Sequence, residues 1–319
     1  MKVLFFVKKI LKTVYKIVFK NKIKINELIE EKKRLEYQLE YMKHHFDIEQ
    51  MKPATGWLRT YQLEDVAFVN EYIKILNKSD IHPFLDGGSL LGAIRHKGFI
   101  PFDDDIDTGL IREEYEKVKD YCKKNFIWYD TRNFEGDIVK TADELIRANP
   151  NKCIALETPF CIHIYHGTNI GNAKNLEFFV YDYVNENITE DQFLQYREFV
   201  KSKIQLHKNW SHIFDFYEQE LKNNSIFSKT PTTRVTPGIG NFVLTQYNFY
   251  GFRQTEDLFP LIPLQFESYM LPCPKNPQNF VSKHYSSLGY PKDIGVAHNF
   301  EVLDKYLNTK GESINYREF

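Results

Sequence analysis

The 319-residue chain lacks the features that mark several protein classes. It has no run of about 18 uninterrupted apolar residues, so no segment is predicted to span a bilayer as a simple helix. A net charge of -1 argues against a nucleic-acid binder that depends on a global positive field. The cysteines are few and contain no C-x-x-C pair, which favours a reducing compartment over a disulfide framework or a zinc site. They are Cys122, Cys153, Cys161 and Cys273.

Aromatic residues, by contrast, are abundant and make up 15% of the chain, within a hydrophobic content of 42%. These proportions predict a globular protein whose core is built heavily on Phe and Tyr. Aromatic side chains can also form a box around a quaternary ammonium group. A surplus of aromatic residues is far more often core, so it does not identify a substrate.

The first 24 residues carry eight lysines, and no acidic residue occurs before Glu27. Several of these lysines recur every four residues, opposite an apolar stripe with helical spacing. The pattern predicts a basic amphipathic helix over 1–24 that lies on anionic lipid, which would make the protein cytoplasmic and peripheral to the inner face of the cell membrane. A first helix packed on the rest of the protein would give the same pattern. The repeating lysines are Lys8, Lys12, Lys16 and Lys20.

Residues 25–56 follow a heptad-like pattern and then a linker. The apolar positions step by three and four residues and are interrupted once, at Lys32. About three heptads support a short coiled coil, so a homodimer through this helix is one interpretation. A long helix folded back on its own domain is the other. Pro53 and Gly56 then indicate a boundary, after which residues 57–319 form the main domain. The apolar seam consists of Ile25, Leu28, Leu35, Leu39, Met42 and Phe46.

Helices and strands are mixed in the main domain without a strict β-α-β alternation, which is typical of an α+β fold. Helical periodicity predicts helices over Leu58–Asn77, Leu90–His96 and Arg112–Lys124, and a mostly helical stretch from Thr189 to Lys222. Alternating or short apolar runs predict strands over His82–Asp86, Asp104–Leu110, Phe160–Tyr165 and Leu176–Val184.

Four carboxylates occur within five residues, at Asp103, Asp104, Asp105 and Asp107. Their mutual repulsion is costly unless a cation neutralises them. If the segment is a strand, Asp105 and Asp107 share one face and can bind one ion, and Asp103 has the same parity. Oxygen ligands without a Cys or His cluster nearby favour Mg²⁺ or Mn²⁺ over zinc.

A glycine-rich turn precedes this acidic run. Gly87-Gly88-Ser89, between a predicted strand and a helix, offers backbone N–H groups, a hydroxyl and a helix N-terminus, which together suit a phosphate. Arg95 and Lys97 follow and can balance phosphate charge. Either feature alone is weak, since a Gly-Gly-Ser is usually a turn and an Asp-rich loop can bind calcium. Together they predict a site for phosphoryl-type transfer.

These two motifs also resemble the signature of the LicD family. The resemblance is carried by D-G-G-S-L-L-G-A-I-R-H-K-G-F-I-P at 86–101 and D-D-D-I-D at 103–107. The family groups bacterial choline-phosphate transferases with fukutin and fukutin-related protein, which transfer ribitol phosphate. The similarity extends along 57–300, whereas residues 1–56 match nothing in the family core. Weaker similarities lie at Leu176–Asp182, Phe259–Leu261, Phe266-Glu267, Pro274–Asn276 and Tyr285.

The resemblance implies a nucleotidyltransferase-like fold, in which a small mixed sheet is flanked by helices. It implies that Asp105 and Asp107 are metal ligands and that Asp103 is the outer acid of the run. Glu177 stands where the family usually has an Asp that completes the metal site, and Asp182 is the alternative third ligand. Gly88 and Ser89 would cradle the donor diphosphate.

The implied reaction is Mg²⁺-dependent transfer of a phospho-alcohol from a CDP-activated donor to a glycan hydroxyl, with release of CMP. The transferred group would be phosphocholine, ribitol phosphate or glycerol phosphate, and the acceptor a capsule, a lipopolysaccharide or another surface glycan. Asp103 would accept the proton of the acceptor hydroxyl. One alternative is a nucleotidyltransferase that attaches the nucleotide and releases pyrophosphate. Another is a non-catalytic scaffold whose N-terminal helix tethers a partner.

Three histidines receive weaker interpretations. His96 lies within the signature and is a candidate for contact with phosphate or for capping the helix end. His163 and His166 lie three residues apart near a predicted strand, a spacing that does not place them on one face. We therefore expect them to be ordinary strand residues.

The amphipathic pattern makes a prediction about residues 1–24. The full-length protein should bind anionic vesicles at low salt, because each basic residue near the surface contributes roughly 1 kcal/mol. A variant that lacks 1–24 should stay in the supernatant when vesicles are sedimented, yet act on a soluble acceptor. Full-length protein that ignores anionic vesicles would show that the lysine stripe serves another purpose.

Overall fold

The structure is a computed structural model, and it describes residues 22, 24–26, 28–38, 41, 51–132, 134, 136–204, 210–243, 251–283 and 305–312. The chain divides into two compact units, Met1–Gln50 and Met51–Phe319. None of the helices within the described ranges combines the length and the apolar character that a membrane span needs. Apart from positions 22 and 24, the predicted membrane-surface helix lies outside the described residues.

In the first unit, every described position between 22 and 41 is helical. Three seam residues, Ile25, Leu28 and Leu35, are more than half exposed, at 55%, 59% and 52%. The other seam residues, at 39, 42 and 46, lie outside the described residues. The coiled-coil dimer and the folded-back helix therefore both stay predictions.

The second unit begins with a long helix that is amphipathic in the predicted way, since Val66, Val69, Ile73 and Leu76 are all buried. The helices described in this unit are α1 (Gly56–Asn77), α2 (Gly87–His96), α3 (Arg112–Asn125), α4 (Ile138–Ala148), α5 (Glu190–Ile204), α6 (Trp210–Asn223), α7 (Thr255–Leu258) and α8 (Pro277–Ser282), with a short 3₁₀ helix at Ile239–Val243.

The strands of the second unit form one mixed sheet and one hairpin. The sheet has the order β1-β2-β6-β5-β4-β3, and β7 and β8 also pair with β6, while β9 pairs with β8. The strands are β1 (Phe84–Leu85), β2 (Asp107–Ile111), β3 (Ile127–Asp130), β4 (Cys153–Glu157), β5 (Cys161–His166), β6 (Lys174–Val184), β7 (Phe227–Ser228), β8 (Arg234–Pro237) and β9 (Arg253–Gln254), with the hairpin formed by β10 (Ile262–Phe266) and β11 (Tyr269–Cys273). The expected α+β fold is confirmed.

The long strand β6 sets the register at the centre of the sheet. It runs parallel to β2, which places Asp107 opposite Glu177. It runs antiparallel to β5 on its other side, which places His163 opposite the same Glu177. Residues at one register position of neighbouring strands point to the same face, so these three side chains lie in one row across the sheet.

The predicted strand over Asp104–Leu110 is wrong at its start. β2 begins only at Asp107, and residues 103–106 form a loop. Pairing with β1 ends early because the chain turns into α2 directly after Leu85-Asp86. Strand parity therefore does not apply to Asp103 or Asp105. The glycine-rich segment was predicted to be a turn before the helix, but it forms the first turn of α2, which begins at Gly87.

The loop between α2 and β2 is held from two distant parts of the chain. From α1, the Gln62 amide donates to the carbonyl oxygen of Asp103 at 2.8 Å. From the turn of the β10–β11 hairpin, the carboxylate of Glu267 accepts from the backbone N–H of Phe99 at 3.1 Å. Arg59 on α1 donates to both oxygens of that carboxylate, at 2.8 and 2.5 Å. The Arg59–Glu267 ion pair therefore joins the helix, the hairpin and the loop.

Glu267→Gln should destabilise the protein, because it leaves the largely buried Arg59 guanidinium without its charged partner. We expect a loss of about 1–3 kcal/mol in the free energy of unfolding, measured with denaturant. Glu113→Gln is the control, since its ion pair with Lys117 lies on the surface, with the Glu113 side chain 81% exposed, and its loss should leave stability almost unchanged. Equal stabilities of the two variants would refute the structural role of Glu267.

Candidate active site

The candidate site lies where β1 passes into α2 and β2 begins. The backbone N–H of Asp86 donates to the carbonyl oxygen of Asp107 at 3.0 Å, which brings the two chain segments together. Gly87 has a φ of +52°, and a Cβ atom there would collide with Oδ2 of Asp107. A glycine is therefore required both by the backbone conformation and by the close approach of the carboxylate.

Ser89, in the first turn of α2, fastens the acidic loop to the helix. Its buried hydroxyl accepts a hydrogen bond from the backbone N–H of Asp107 at 2.9 Å. It also lies 3.5 Å from the carbonyl oxygen of Asp105, a longer contact. This hydroxyl thus has partners within the chain, and its predicted contact with phosphate stays a prediction, as does that of Gly88.

The acidic run forms a compact cluster. Asp103, Asp104 and Asp105 each offer a carboxylate oxygen that lies within 4.8 Å of the others. Asp104 and Asp105 are buried, at 2% and 8% exposure. The loop conformation, not strand parity, brings Asp103 and Asp105 together, and it includes Asp104, which strand parity would place on the other face. Oxygen donors of this kind fit a hard divalent cation such as Mg²⁺ or Mn²⁺.

Burial and mutual repulsion perturb the acids of this cluster. The pKa of Asp103 lies well above its usual range because of burial, with Asp105 and Asp104 adding to the effect. The pKa of Asp107 is raised well above its usual range by burial first, and then by Asp105 and Glu177. Negative charge at this site is therefore costly, and a divalent cation would offset that cost.

Glu177 on β6 is the candidate third ligand. It lies opposite Asp107 in the parallel pairing. Its Oε1 accepts from Nδ2 of Asn175 at 2.7 Å and lies 3.0 Å from Nδ1 of His163. Asp182, the alternative, is five residues further along β6 and so points to the opposite face of the strand. There it accepts hydrogen bonds from Nε and Nη2 of Arg112, at 2.8 and 2.7 Å.

The predicted cations of the phosphate cradle lie at the other end of α2. Arg95 is in the last turn, seven residues after Gly88, which separates their backbones by roughly 10 Å along the axis. Lys97 follows the helix in the left-handed conformation, with a φ of 55°. The structure does not bring these backbones next to the helix N-terminus, so their role in phosphate binding stays a prediction. Burial, with a smaller effect of Arg95, lowers the pKa of His96 to about 4, so this side chain is neutral at pH 7.

Sequence reasoning missed the group around Glu177. Sγ of Cys161 lies 3.1 Å from Nε2 of His163, whose Nδ1 faces Glu177. Cys161, His163 and Glu177 offer ligand atoms within 4.8 Å of one another. Burial alone would lower the pKa of His163, but Cys161, Tyr165 and Glu177 outweigh it and raise that pKa well above its usual value. The signal in the sequence was the two-residue spacing of Cys161 and His163, which places both on one face of a strand.

Comparison with known proteins finds a family model that matches part of this domain. Residues 80–208 match the family model described as LicD/FKTN/FKRP, nucleotidyltransferase domain. The matched range runs from just before β1 to the end of α5, so it contains the whole acidic run and Glu177. This part of the chain is therefore similar to the LicD family, as the signature predicted.

Two curated relatives are similar to parts of the chain. Over 96 residues the chain is 36% identical to the lipopolysaccharide cholinephosphotransferase LicD of Haemophilus influenzae, an alignment that covers 30% of this chain and 33% of that protein. Over 41 residues it is 49% identical to an uncharacterized protein of Rickettsia typhi, with 13% of each chain covered. The chain thus spans a third or less of the length of these relatives.

Gly87→Ala should perturb the site more than its backbone strain explains. Alanine at positive φ costs about 1–2 kcal/mol, and the new Cβ must also displace the Asp107 carboxylate. The matched control is Gly311→Ala, where φ is +73° and no atom lies within 4 Å of the new Cβ. Denaturant unfolding should show a larger loss for Gly87→Ala. Equal losses would contradict the close approach of Gly87 to Asp107.

Proposed function

We propose that this protein is a Mg²⁺-dependent transferase that moves a phospho-alcohol from a CDP-activated donor to a glycan hydroxyl and releases CMP. The observation that carries the proposal is the compact cluster of Asp103–Asp105 just before β2, where Asp107 lies opposite Glu177, within the segment that matches the LicD family. The similarity to a lipopolysaccharide cholinephosphotransferase supports a phospho-alcohol as the transferred group and a surface glycan as the acceptor.

Asp105, Asp107 and Glu177 would hold the Mg²⁺, since they offer the oxygen donors that this cation prefers. When bound, the cation supplies positive charge that offsets the charge of the donor diphosphate. Contacts within the chain hold two of these residues. The Ser89 hydroxyl accepts from the backbone N–H of Asp107, and His163 on the neighbouring strand contacts the Glu177 carboxylate. The same positioning serves an in-line attack by the acceptor hydroxyl.

Other parts of the site would bind the donor and move the proton. The first turn of α2, with the N–H groups of Gly88 and Ser89, would receive the diphosphate at the positive end of the helix dipole. Arg95 and Lys97 would balance the remaining charge through their long side chains. Asp103 would accept the proton of the acceptor hydroxyl, since its raised pKa makes it a better base near neutral pH.

The first 56 residues would determine where in the cell the enzyme acts. The basic segment 1–24 would bring it to the anionic inner face of the cell membrane. The heptad-like segment that begins at Ile25 would join two chains through its apolar seam. Both features would concentrate the catalytic domain at the membrane surface.

A second candidate function is nucleotidyl transfer proper, which the description of the matched family model favours. The same acidic site serves both reactions, because each needs a neutralised diphosphate and an attacking oxygen. The products differ, since nucleotidyl transfer releases pyrophosphate and phospho-alcohol transfer releases CMP. Incubation with a panel of CDP-alcohols and a glycan acceptor, followed by analysis for both products, therefore decides between them.

Asp107→Asn tests the proposed site directly. The substitution keeps the shape of the side chain but removes a charge that holds the cation, so CMP release should fall by about 10²-fold or more. Asp120→Asn is the matched control, since it removes the same charge from an exposed position on α3. Chelation should silence the wild type, and Mg²⁺ or Mn²⁺ should restore it. Near-normal turnover by folded Asp107→Asn would overturn the mechanism.

The same variant should be more stable than the wild type without metal. A carboxyl whose pKa is raised in the folded state binds its proton more tightly there than in the unfolded chain. The resulting stabilisation is present below the unfolded pKa of about 3.9 and is lost as the pH rises through the folded value. At neutral pH, Asp107→Asn avoids that loss, and a lower melting temperature than the wild type would contradict the raised pKa.

A further inference from the structure

We infer that His163 is a positioning residue, which holds the carboxylate of Glu177 in the orientation that a cation at the acidic cluster requires. The inference rests on the proposed function, because it assumes that the cluster binds a divalent cation. It assigns to β5, a strand that carries none of the acidic residues, a share in building the site.

The strand register supports this role. His163, Glu177 and Asp107 occupy one row across β5, β6 and β2. Glu177 is the middle member, with Asp107 on one side and the imidazole of His163 on the other. His163 therefore approaches Glu177 from β5, whereas Asp107 approaches it from β2.

The hydrogen bonds act on one carboxylate oxygen. Nδ1 of His163 lies 3.0 Å from Oε1 of Glu177, and Nδ2 of Asn175 donates to the same oxygen at 2.7 Å. Both partners are anchored in turn. The backbone N–H of Asn175 donates to the buried carboxylate of Asp65 on α1 at 2.9 Å, and Nε2 of His163 lies 3.1 Å from Sγ of Cys161.

Packing fixes the imidazole itself. The side chain of His163 is 19% exposed and that of Glu177 is 13% exposed, so neither can turn freely into solvent. The His163 ring stacks on the ring of Tyr165, with centroids 5.8 Å apart and an interplanar angle of 6°. Because the His163 ring is held on its face and at both nitrogens, its Nδ1 stays in one position relative to the Glu177 carboxylate.

The energetic reason lies in the length of the glutamate side chain. A glutamate that must be ordered when a cation binds loses rotamer freedom at that step, which weakens binding. If His163 and Asn175 order the glutamate side chain during folding, the rotamer freedom is already lost before the cation binds, and binding is not weakened by it. Groups that orient metal ligands in this way typically contribute 10- to 100-fold in metal affinity.

His163→Leu tests the inference on the full-length protein, with Mn²⁺ as the probe and electron paramagnetic resonance as the readout. Binding of Mn²⁺ alone should weaken by about 10- to 100-fold. The Mn²⁺ concentration for half-maximal CMP release should rise by the same factor, while turnover at saturating Mn²⁺ changes by only a few fold. His163→Asn, whose amide can place a donor near the position of Nδ1, should recover most of the affinity.

The control is His166→Leu, three residues along the same strand and therefore on its opposite face, where His166 stacks on Phe68. Its Mn²⁺ affinity should equal that of the wild type. In a Glu177→Gln background, His163→Leu should have almost no further effect, because the group that it positions no longer carries the charge. If His163→Leu does not fold, His163→Gln replaces it, since its longer side chain moves the donor away from Oε1.

The outcomes separate the two proposals. If the wild type binds Mn²⁺ and Asp107→Asn does not, but folded His163→Leu binds as tightly as the wild type, the positioning role is overturned and the proposed function stands. Equal losses from His163→Leu in the wild-type and Glu177→Gln backgrounds would also overturn it, because the effect would not pass through Glu177. A wild type that binds no Mn²⁺ would overturn the metal site and the inference together.

Discussion

Repulsion between the carboxyl groups near the start of β2 disfavours their close packing, and the surrounding structure has to offset it. Asp103 and Asp107 have raised pKa values because both occupy half-buried positions among other acids. The backbone that carries them is fixed by neutral side chains: the Ser89 hydroxyl accepts from the N–H of Asp107, and the Gln62 amide donates to the carbonyl oxygen of Asp103. These two contacts fix the backbone and carry no charge of their own.

Local sequence patterns predicted the elements that depend on local interactions. The apolar face of α1 and the bounds of α3 were correct within two residues, because helical periodicity is set by neighbours three and four positions apart. The acidic run was predicted to be the centre of the site, and three of its carboxylates do form a compact cluster. Its conformation was wrong, because the start of β2 is set by pairing with Glu177, which lies 70 residues later.

The missing parts of the site depend on contacts between distant segments. His163 was interpreted as an ordinary strand residue, since no local pattern reports that antiparallel pairing places it opposite Glu177. The short strands β3 and β4 and the β10–β11 hairpin were not predicted, because a strand of four or five residues becomes recognisable only with its partner. The candidate third ligand, Glu177, was predicted from the family resemblance, and the strand register places it opposite Asp107.

The Arg59–Glu267 ion pair has a consequence for how the protein is made. Its two members are separated by 208 residues, and the carboxylate that it orients also holds the loop leading to Asp103. On the ribosome, α1 and the signature segment emerge long before the hairpin, since chains are synthesised from the N-terminus at about 5–20 residues per second. For that interval the acidic loop lacks its second anchor. A nascent chain that is stalled before residue 267 would therefore contain every acidic residue of the site without yet having the completed loop.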